Sequence, residues 1–228
     1  KAGETVDGLL VIGITANEPR TCYGYIRRGK ALYVEDGQPV YKVERFREKP
    51  EAEKAERYLR QGDYLWNSGI VVGRAGMILD LIKEHNPKLK PGFEQISASI
   101  GRPEEQEIVQ QVYASFEKIS FDYAVLERES KIYMVVGNFG WEDIGSWSSL
   151  ARVSAKDTSG NVFSGRAVSI DTDNCIVSTP GKLAAVIGVN ELIVIDTEDV
   201  LFICKKDRDQ EVKALLRRLK QAGWEEYL

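Results

Sequence analysis

Histidine is nearly missing from this 228-residue chain, which has one, His85. A Ser-His-Asp triad needs an imidazole base and a multi-histidine metal centre needs several, so this chain's own residues can build neither. Cysteine is also scarce. Cys22, Cys175 and Cys204 are odd in number and far apart, which makes neither a disulfide framework nor a zinc knuckle, and they read as buried or incidental thiols. There is no basic excess: 31 Lys and Arg stand against 35 Asp and Glu, a net charge of −4, so general nucleic-acid binding is not expected. No apolar run is long enough to span a bilayer and the N-terminus has no signal-peptide pattern. No membrane partner is therefore expected, and the expected compartment is cytoplasmic. Glycine and proline, at 20 and 7, are ordinary, which excludes disorder and collagen-like structure. The remaining chemistry is that of carboxylates, lysines, arginines, hydroxyls and backbone amides. Those are the tools of metal-assisted phosphoryl and nucleotidyl transfer and of glycosidases.

What is present suits one large domain or two small ones, with 43% apolar and 29% charged residues. The unbroken apolar run Gly8 to Ile14 predicts a strand buried on both faces, as in a parallel or mixed sheet covered by helices. A turn-rich patch follows, then a strand over Val40 to Phe46 and a helix over Glu51 to Gln61 with Ala52, Ala55 and Leu59 on one face. Gly69 to Gly73 reads as a short strand and Ala75 to His85 as a helix. His85 falls in its last turn, where a partly cationic ring suits the dipole. Pro103 to Phe116 reads as a further helix, Asp122 to Glu127 as a short one, Lys131 to Val136 as a strand, and Ser146 to Val153 as a helix with Trp147 and Leu150 inward. The polar cluster Lys156 to Asn161 marks a candidate boundary. Short β-like runs beyond it predict a sandwich, roll or short β-solenoid, closed by an amphipathic helix over Arg208 to Gln221. The expected organisation is α/β over 1–155, then a β-rich portion with a terminal helix over 156–228.

Four segments carry more polar and aromatic residues than structure alone requires. In Thr21 to Ile26, Gly24 between two tyrosines permits a close backbone approach, or is simply a bulge glycine. In Phe46 to Pro50, Glu48 and Lys49 end a strand where open α/β sheets place ligands; a surface ion pair is the plainer alternative. In Leu65 to Ile70, Asn67 beside Trp66 makes a hydroxyl-reading pair, or an Asx turn beside a packed tryptophan. In Gly140 to Trp147, Asp143 in a tight turn suits Mg²⁺ held against phosphate oxygens, while Asp143 or Ser146 serves equally as an N-cap.

In their order, Tyr23-Gly24-Tyr25-Ile26, Glu48-Lys49-Pro50, Trp66-Asn67-Ser68-Gly69, Phe121 to Glu127 and Trp141-Glu142-Asp143-Ile144-Gly145-Ser146-Trp147 resemble the mannose-1-phosphate guanylyltransferase family. The resemblance implies an incomplete Rossmann-like nucleotidyltransferase, a mixed sheet with flanking helices, followed by a β-helix-like C-terminal portion with a terminal helix. It implies the reaction of mannose 1-phosphate with GTP to give GDP-mannose and pyrophosphate, with Mg²⁺ or a similar divalent cation as cofactor. Carried over by motif, Gly24 and Asn67 would read the sugar, Glu48 would accept its hydroxyls, Lys49 would hold its phosphate and Asp122 would sit near the mannose. Asp143 would ligate the metal, with Lys49 and Asp143 as the catalytic pair. The β-rich end would support self-association as a homo-oligomer such as a dimer. Another sugar-1-phosphate nucleotidylyltransferase, or a non-catalytic sugar-phosphate-binding or assembly module, are the competing readings.

Two departures stand out. Cys22 occupies a position where the family commonly has glycine, and the family's glycine-rich nucleotide loop with its arginine and lysine is not found among Gly3, Gly8 and Gly13. The chain is therefore expected to be the C-terminal part of such an enzyme, with most of the GTP site upstream of Lys1. Two outcomes are expected from that. The sheet would leave Leu9 to Ile14 with an unpaired side that favours self-association. The 228-residue chain alone would not make GDP-mannose, and a measured rate of formation from mannose 1-phosphate and GTP would contradict this.

Overall fold

The computed structural model describes residues 2–227. By internal packing the chain divides between Trp141 and Glu142 into two compact units. The first opens with a short helix, α1 (Ala2–Thr5), and the apolar strand β1 (Leu9–Thr15). A long hairpin follows, β2 (Tyr25–Glu35) and β3 (Gln38–Arg47), turned by Asp36 and Gly37, both at positive φ, with Glu35 opposite Gln38. A two-residue Asp-Gly turn of this kind matches the natural twist of a hairpin. Helix α2 (Ala52–Gln61) ends at Gly62, whose left-handed conformation lets its amide bond Tyr58 O at 3.3 Å. Then come β4 (Tyr64–Val72), α3 (Ala75–His85), α4 (Lys90–Ser99), α5 (Glu105–Ser115), a single π-helical turn at Asp122–Leu126, and β5 (Ile132–Gly137).

The five strands close on themselves in the order β1-β4-β2-β3-β5, with β1 and β5 parallel and the other pairs antiparallel. The mixed sheet with flanking helices is as expected, but its closure is not. β1 pairs β4 on one side and β5 on the other, so the expectation of an unpaired side at Leu9 to Ile14 is wrong. Both sets of backbone groups find partners because β5 returns from far along the chain to lie parallel to β1. Self-association gains no support from that edge.

Side-chain alternation gives the sheet two distinct faces. One buries Leu9, Val11, Ile26, Phe46, Leu65 and Met134 against Ala124, Val125 and Leu126 of the π-helical turn. The other gathers Ile14, Tyr23, Tyr25, Tyr64 and Trp66 with Ala55 and Tyr58 of α2. Within α2, only Ala55 of the expected inner face is fully buried.

The second unit holds α6 (Trp147–Val153), β6 (Val162–Ile170), β7 (Ile176–Ile187), β8 (Leu192–Asp196), β9 (Leu201–Lys205) and α7 (Val212–Gln221), the last entered through a 3-10 turn at Lys206–Glu211. β6, β7 and β8 run parallel in sequence order and β9 is antiparallel, which is the β-helix-like arrangement among the expected alternatives. Buried Asn161 ties successive turns. Its Nδ2 donates to Asp157 Oδ2 and Thr172 O, and its Oδ1 accepts from Cys175 N at 2.8 Å. In α6 the buried residues are Ser149 and Ala151, whereas Trp147 and Leu150 are each 36% exposed, which reverses the expected inward pair. Small Ala151 is the α6 residue that packs with Val162, Ile176 and Ile193 of the ladder.

His85 makes a further long-range link. Its Nε2 lies 3.0 Å from Glu129 Oε2, which caps the entry to β5. Burial alone would push the Glu129 carboxyl up. Hydrogen bonds from His85 and from the amides of Lys131 and Ser130 outweigh it and hold the carboxyl below its ordinary range. A carboxyl depressed in the folded state stabilises above its unfolded pKa of about 4.3 and loses that contribution as pH falls through its folded value. Glu129→Gln is therefore expected to lower stability at neutral pH and to flatten its acid limb, measured as urea midpoints from pH 7 down to pH 3.

Candidate functional site

The sugar-reading residues expected from the sequence come from four stretches of the first unit and meet on one face of its sheet. Asn67 N donates to Gly24 O at 2.7 Å, and Lys49 N donates to Tyr23 O at 3.2 Å, which draws the loop before β2, the end of β3 and the middle of β4 together. Gly24 is buried. A Cβ there would run into the Glu48 carboxylate and lie 3.1 Å from Asn67 Cβ. This close approach, with no need for a positive φ, is why glycine stands between the two tyrosines. Asn67 is at a bulge in β4: Val11 pairs Val71 and Gly13 pairs Asn67, so Ser68, Gly69 and Ile70 lie opposite Ile12 alone. Bulges commonly re-aim side chains beside functional sites.

Asn67 is 8% exposed, and its Nδ2 donates to Asp122 Oδ1 at 3.1 Å. Its Oδ1 is buried with no hydrogen-bond partner among the described residues. A buried amide oxygen left in this state costs about 1–3 kcal/mol, which a ligand hydroxyl would recover. Asp122 begins the π-helical turn, closed by Glu127 N to Asp122 O at 2.9 Å, and such turns recur at functional sites. Glu127 is a site residue that sequence reasoning missed. It accepts the Glu48 amide at 2.9 Å and lies 3.6 Å from Arg47, so it holds the end of β3 in place. The aromatic side chains lie on the other face: Tyr23 meets Trp66 edge-on at 5.2 Å and Trp141 at 5.4 Å, so Trp66 is the packed tryptophan of the plainer reading.

Lys49 is exposed, and its Nζ donates to Glu48 Oε1 at 2.7 Å. That bond, with the nearby Tyr123 and Asp122, holds the ammonium above the ordinary lysine value despite partial burial, so it stays charged at neutral pH. Its φ of 46° is left-handed. For a non-glycine residue this costs about 1–3 kcal/mol and points to function. The ion pair of the plainer reading is thus real, but it sits inside a cluster with Gly24, Asn67 and Asp122.

Asp143 belongs to the second unit and is described there. Ser146 caps α6, its Oγ accepting from Ser149 N at 3.1 Å, and Glu142 is tied to Arg152. The capping role therefore falls to Ser146. Asp143 is exposed, with no hydrogen bond or ion pair among the described residues. No group of three His, Cys, Asp or Glu side chains able to hold a metal occurs among the described residues. A lone free carboxylate still fits Mg²⁺, which takes one or two carboxylates with phosphate oxygens and water. None of the three cysteines is bridged, and Cys175 is buried.

Gly24→Ala is expected to displace Glu48 or Asn67 and to cost about 1–3 kcal/mol of stability by overpacking. A chemical-denaturation midpoint unchanged from the parent protein would show that this approach is not tight.

Residues 1–160 match the model of the nucleotidyl transferase family. Residues 165–219 match that of the MannoseP isomerase/GMP-like beta-helix domain. The mannose-1-phosphate guanylyltransferase of Klebsiella pneumoniae is 37% identical over 220 residues, 96% of this chain and 46% of that protein. The alginate biosynthesis protein AlgA of Pseudomonas syringae pv. tomato is 36% identical over 216 residues, 94% of this chain and 44% of that protein. A crystal structure named mannose-1-phosphate geranyltransferase, from Thermus thermophilus, superposes with a TM-score of 0.78 at 34% identity, covering 96% of this chain and 62% of that one. The chain spans less than half the length of the Klebsiella and Pseudomonas relatives. The family model takes in most of the chain, including the five-stranded sheet and the whole Gly24 cluster: the chain belongs to the nucleotidyl transferase family.

Proposed function

We propose that this chain is the sugar-phosphate-reading part of a mannose-1-phosphate guanylyltransferase, which converts mannose 1-phosphate and GTP into GDP-mannose and pyrophosphate. The observation that carries the reading is the packed cluster of Gly24, Glu48, Asn67 and Asp122, with an orphaned Asn67 amide oxygen and a charged Lys49 bonded to Glu48. The names of its relatives support the choice of sugar and nucleotide.

Each residue has a physical role in this reading. The Glu48 carboxylate accepts sugar hydroxyls and the Gly24 amide donates to one. Asn67 Oδ1 accepts another, with Asp122 as a positioning residue that fixes the amide through Nδ2. Lys49 holds the sugar phosphate as a mobile point charge. A phosphate oxygen of mannose 1-phosphate forms the new bond to the α-phosphorus of GTP, and the bond to the leaving pyrophosphate breaks. Positioning and electrostatics supply most of the rate. Asp143 would hold one side of a divalent cation, which offsets charge on the phosphates when bound.

In this reading a substrate-reading part over 1–155 is followed by an association part over 156–228; one family model ends at 160 and the other begins at 165, while internal packing divides the chain between Trp141 and Glu142. The same reading places the reaction in the cytoplasm and the protein in a homo-oligomer. Among the described residues, no helix is long and apolar enough to cross a membrane.

In the full-length protein, Lys49→Ala and Asp143→Asn are each expected to lower kcat/KM for mannose 1-phosphate by about a hundredfold or more. Unchanged activity in both would favour a non-catalytic binding or assembly role. A substrate panel that prefers glucose 1-phosphate would overturn the choice of mannose.

A further inference from the structure

The face of the sheet opposite Gly24 and Asn67 carries a second feature. Alternation places Arg27, Arg45 and Arg47 with Tyr25 and Tyr64, away from Ile26, Phe46 and Leu65. Helix α2 lies over this face and borders it with Lys54, Arg57, Tyr58 and Gln61, positions spaced for one helical side. Between them is a cleft of about 730 Å³, within the usual range of small-molecule sites. Its lining has six cations, Arg27, Arg45, Arg47, Lys49, Lys54 and Arg57, against two carboxylates, Glu48 and Glu51. Gathering like charges is unfavourable, and the chain as a whole is net negative.

The cations are unequally engaged. Arg27 is held by Asp63 at 2.8 Å and Glu44 at 3.4 Å, Arg47 lies 3.6 Å from Glu127, Lys54 lies 3.8 Å from exposed Glu51, and Lys49 pairs Glu48. Arg45 on β3 and Arg57 on α2 make no ion pair or hydrogen bond among the described residues. They border the same cleft from two different elements. Tyr58 and Tyr64, stacked at 3.9 Å, give that cleft a rigid aromatic lining.

We propose that this cleft is a second anion site, next to the sugar-reading cluster and sharing Glu48 and Lys49 with its border, which binds the diphosphate group of a small molecule through Arg45 and Arg57. Two planar guanidinium forks match the paired oxygens of a diphosphate, and the remaining cations offset its charge. Lys49, exposed at the junction of the two faces, connects this site to the sugar-reading cluster. The site does not depend on the identity of the sugar.

The test is calorimetric titration of the protein with inorganic pyrophosphate, in the absence of divalent metal, at fixed ionic strength. Arg45→Gln/Arg57→Gln is expected to weaken binding by about tenfold or more, and Arg57→Gln alone by an intermediate factor. Both side chains are exposed, so circular dichroism should show an unchanged fold. ADP titrated in parallel distinguishes the source: binding of both ligands points to a nucleotide diphosphate, and binding of pyrophosphate alone to the free ion, and either supports the site. Binding that survives the double variant but is lost in Lys49→Gln would assign the anion to the sugar-reading face and overturn the proposal. Equal displacement by sulfate would reduce the cleft to a general basic surface and overturn it as well.

Discussion

The missing side chain at Gly24 is the constraint on which the candidate site depends. With no Cβ in the way, the backbone there closes to within a hydrogen bond of Asn67 while the Glu48 carboxylate lies across it. Asn67 is turned by the bulge in β4 and meets Asp122 at the head of the π-helical turn. Segments up to 98 residues apart, Gly24 to Asp122, are thereby drawn into one polar cluster on a sheet face otherwise filled by apolar side chains. The cluster is held by backbone hydrogen bonds and by Glu127, so its polar atoms are fixed before any ligand arrives.

The same sheet separates two chemistries by parity, except past the end of β3, where Glu48 and Lys49 border both. Neutral amide and carboxylate groups that suit hydroxyls lie with Ile26, Phe46 and Leu65. Guanidinium groups that suit phosphates lie with Tyr25 and Tyr64 under α2. Lys49 stands where β3 ends, in a left-handed conformation that keeps its amide on Tyr23 and its ammonium on Glu48. The strain is local and the surrounding hydrogen bonds sustain it.

In the second unit, stability and chemistry are kept apart. The parallel ladder is pinned by a fully satisfied buried asparagine, Asn161, which suits a fold whose successive turns each add a strand beside the last. The loop before α6 assigns capping to Ser146 and ion pairing to Glu142, and the Asp143 carboxylate makes no hydrogen bond or ion pair among the described residues.

Much of the fold was legible where periodicity and punctuation agree, as in α2 with Gly62, α3 before Pro87, and the short strands after Asn161. β2 was not, because its run of Arg27, Arg28, Gly29 and Lys30 has little apolar alternation, although Asp36-Gly37 was a usable hairpin signal. α4 was hidden by Pro91 and Gly92 near its start. By itself the sequence determined which residue types were available, the family, and the motifs that carry Gly24, Glu48, Lys49, Asn67 and Asp122, since each is a local pattern. Only the tertiary structure decided that β1 is paired on both sides, that Glu127 anchors the end of β3, and that Arg45 and Arg57 border one cleft. Those facts depend on strand pairing and side-chain facing between distant segments, which a one-residue change of register would reverse and no local pattern specifies.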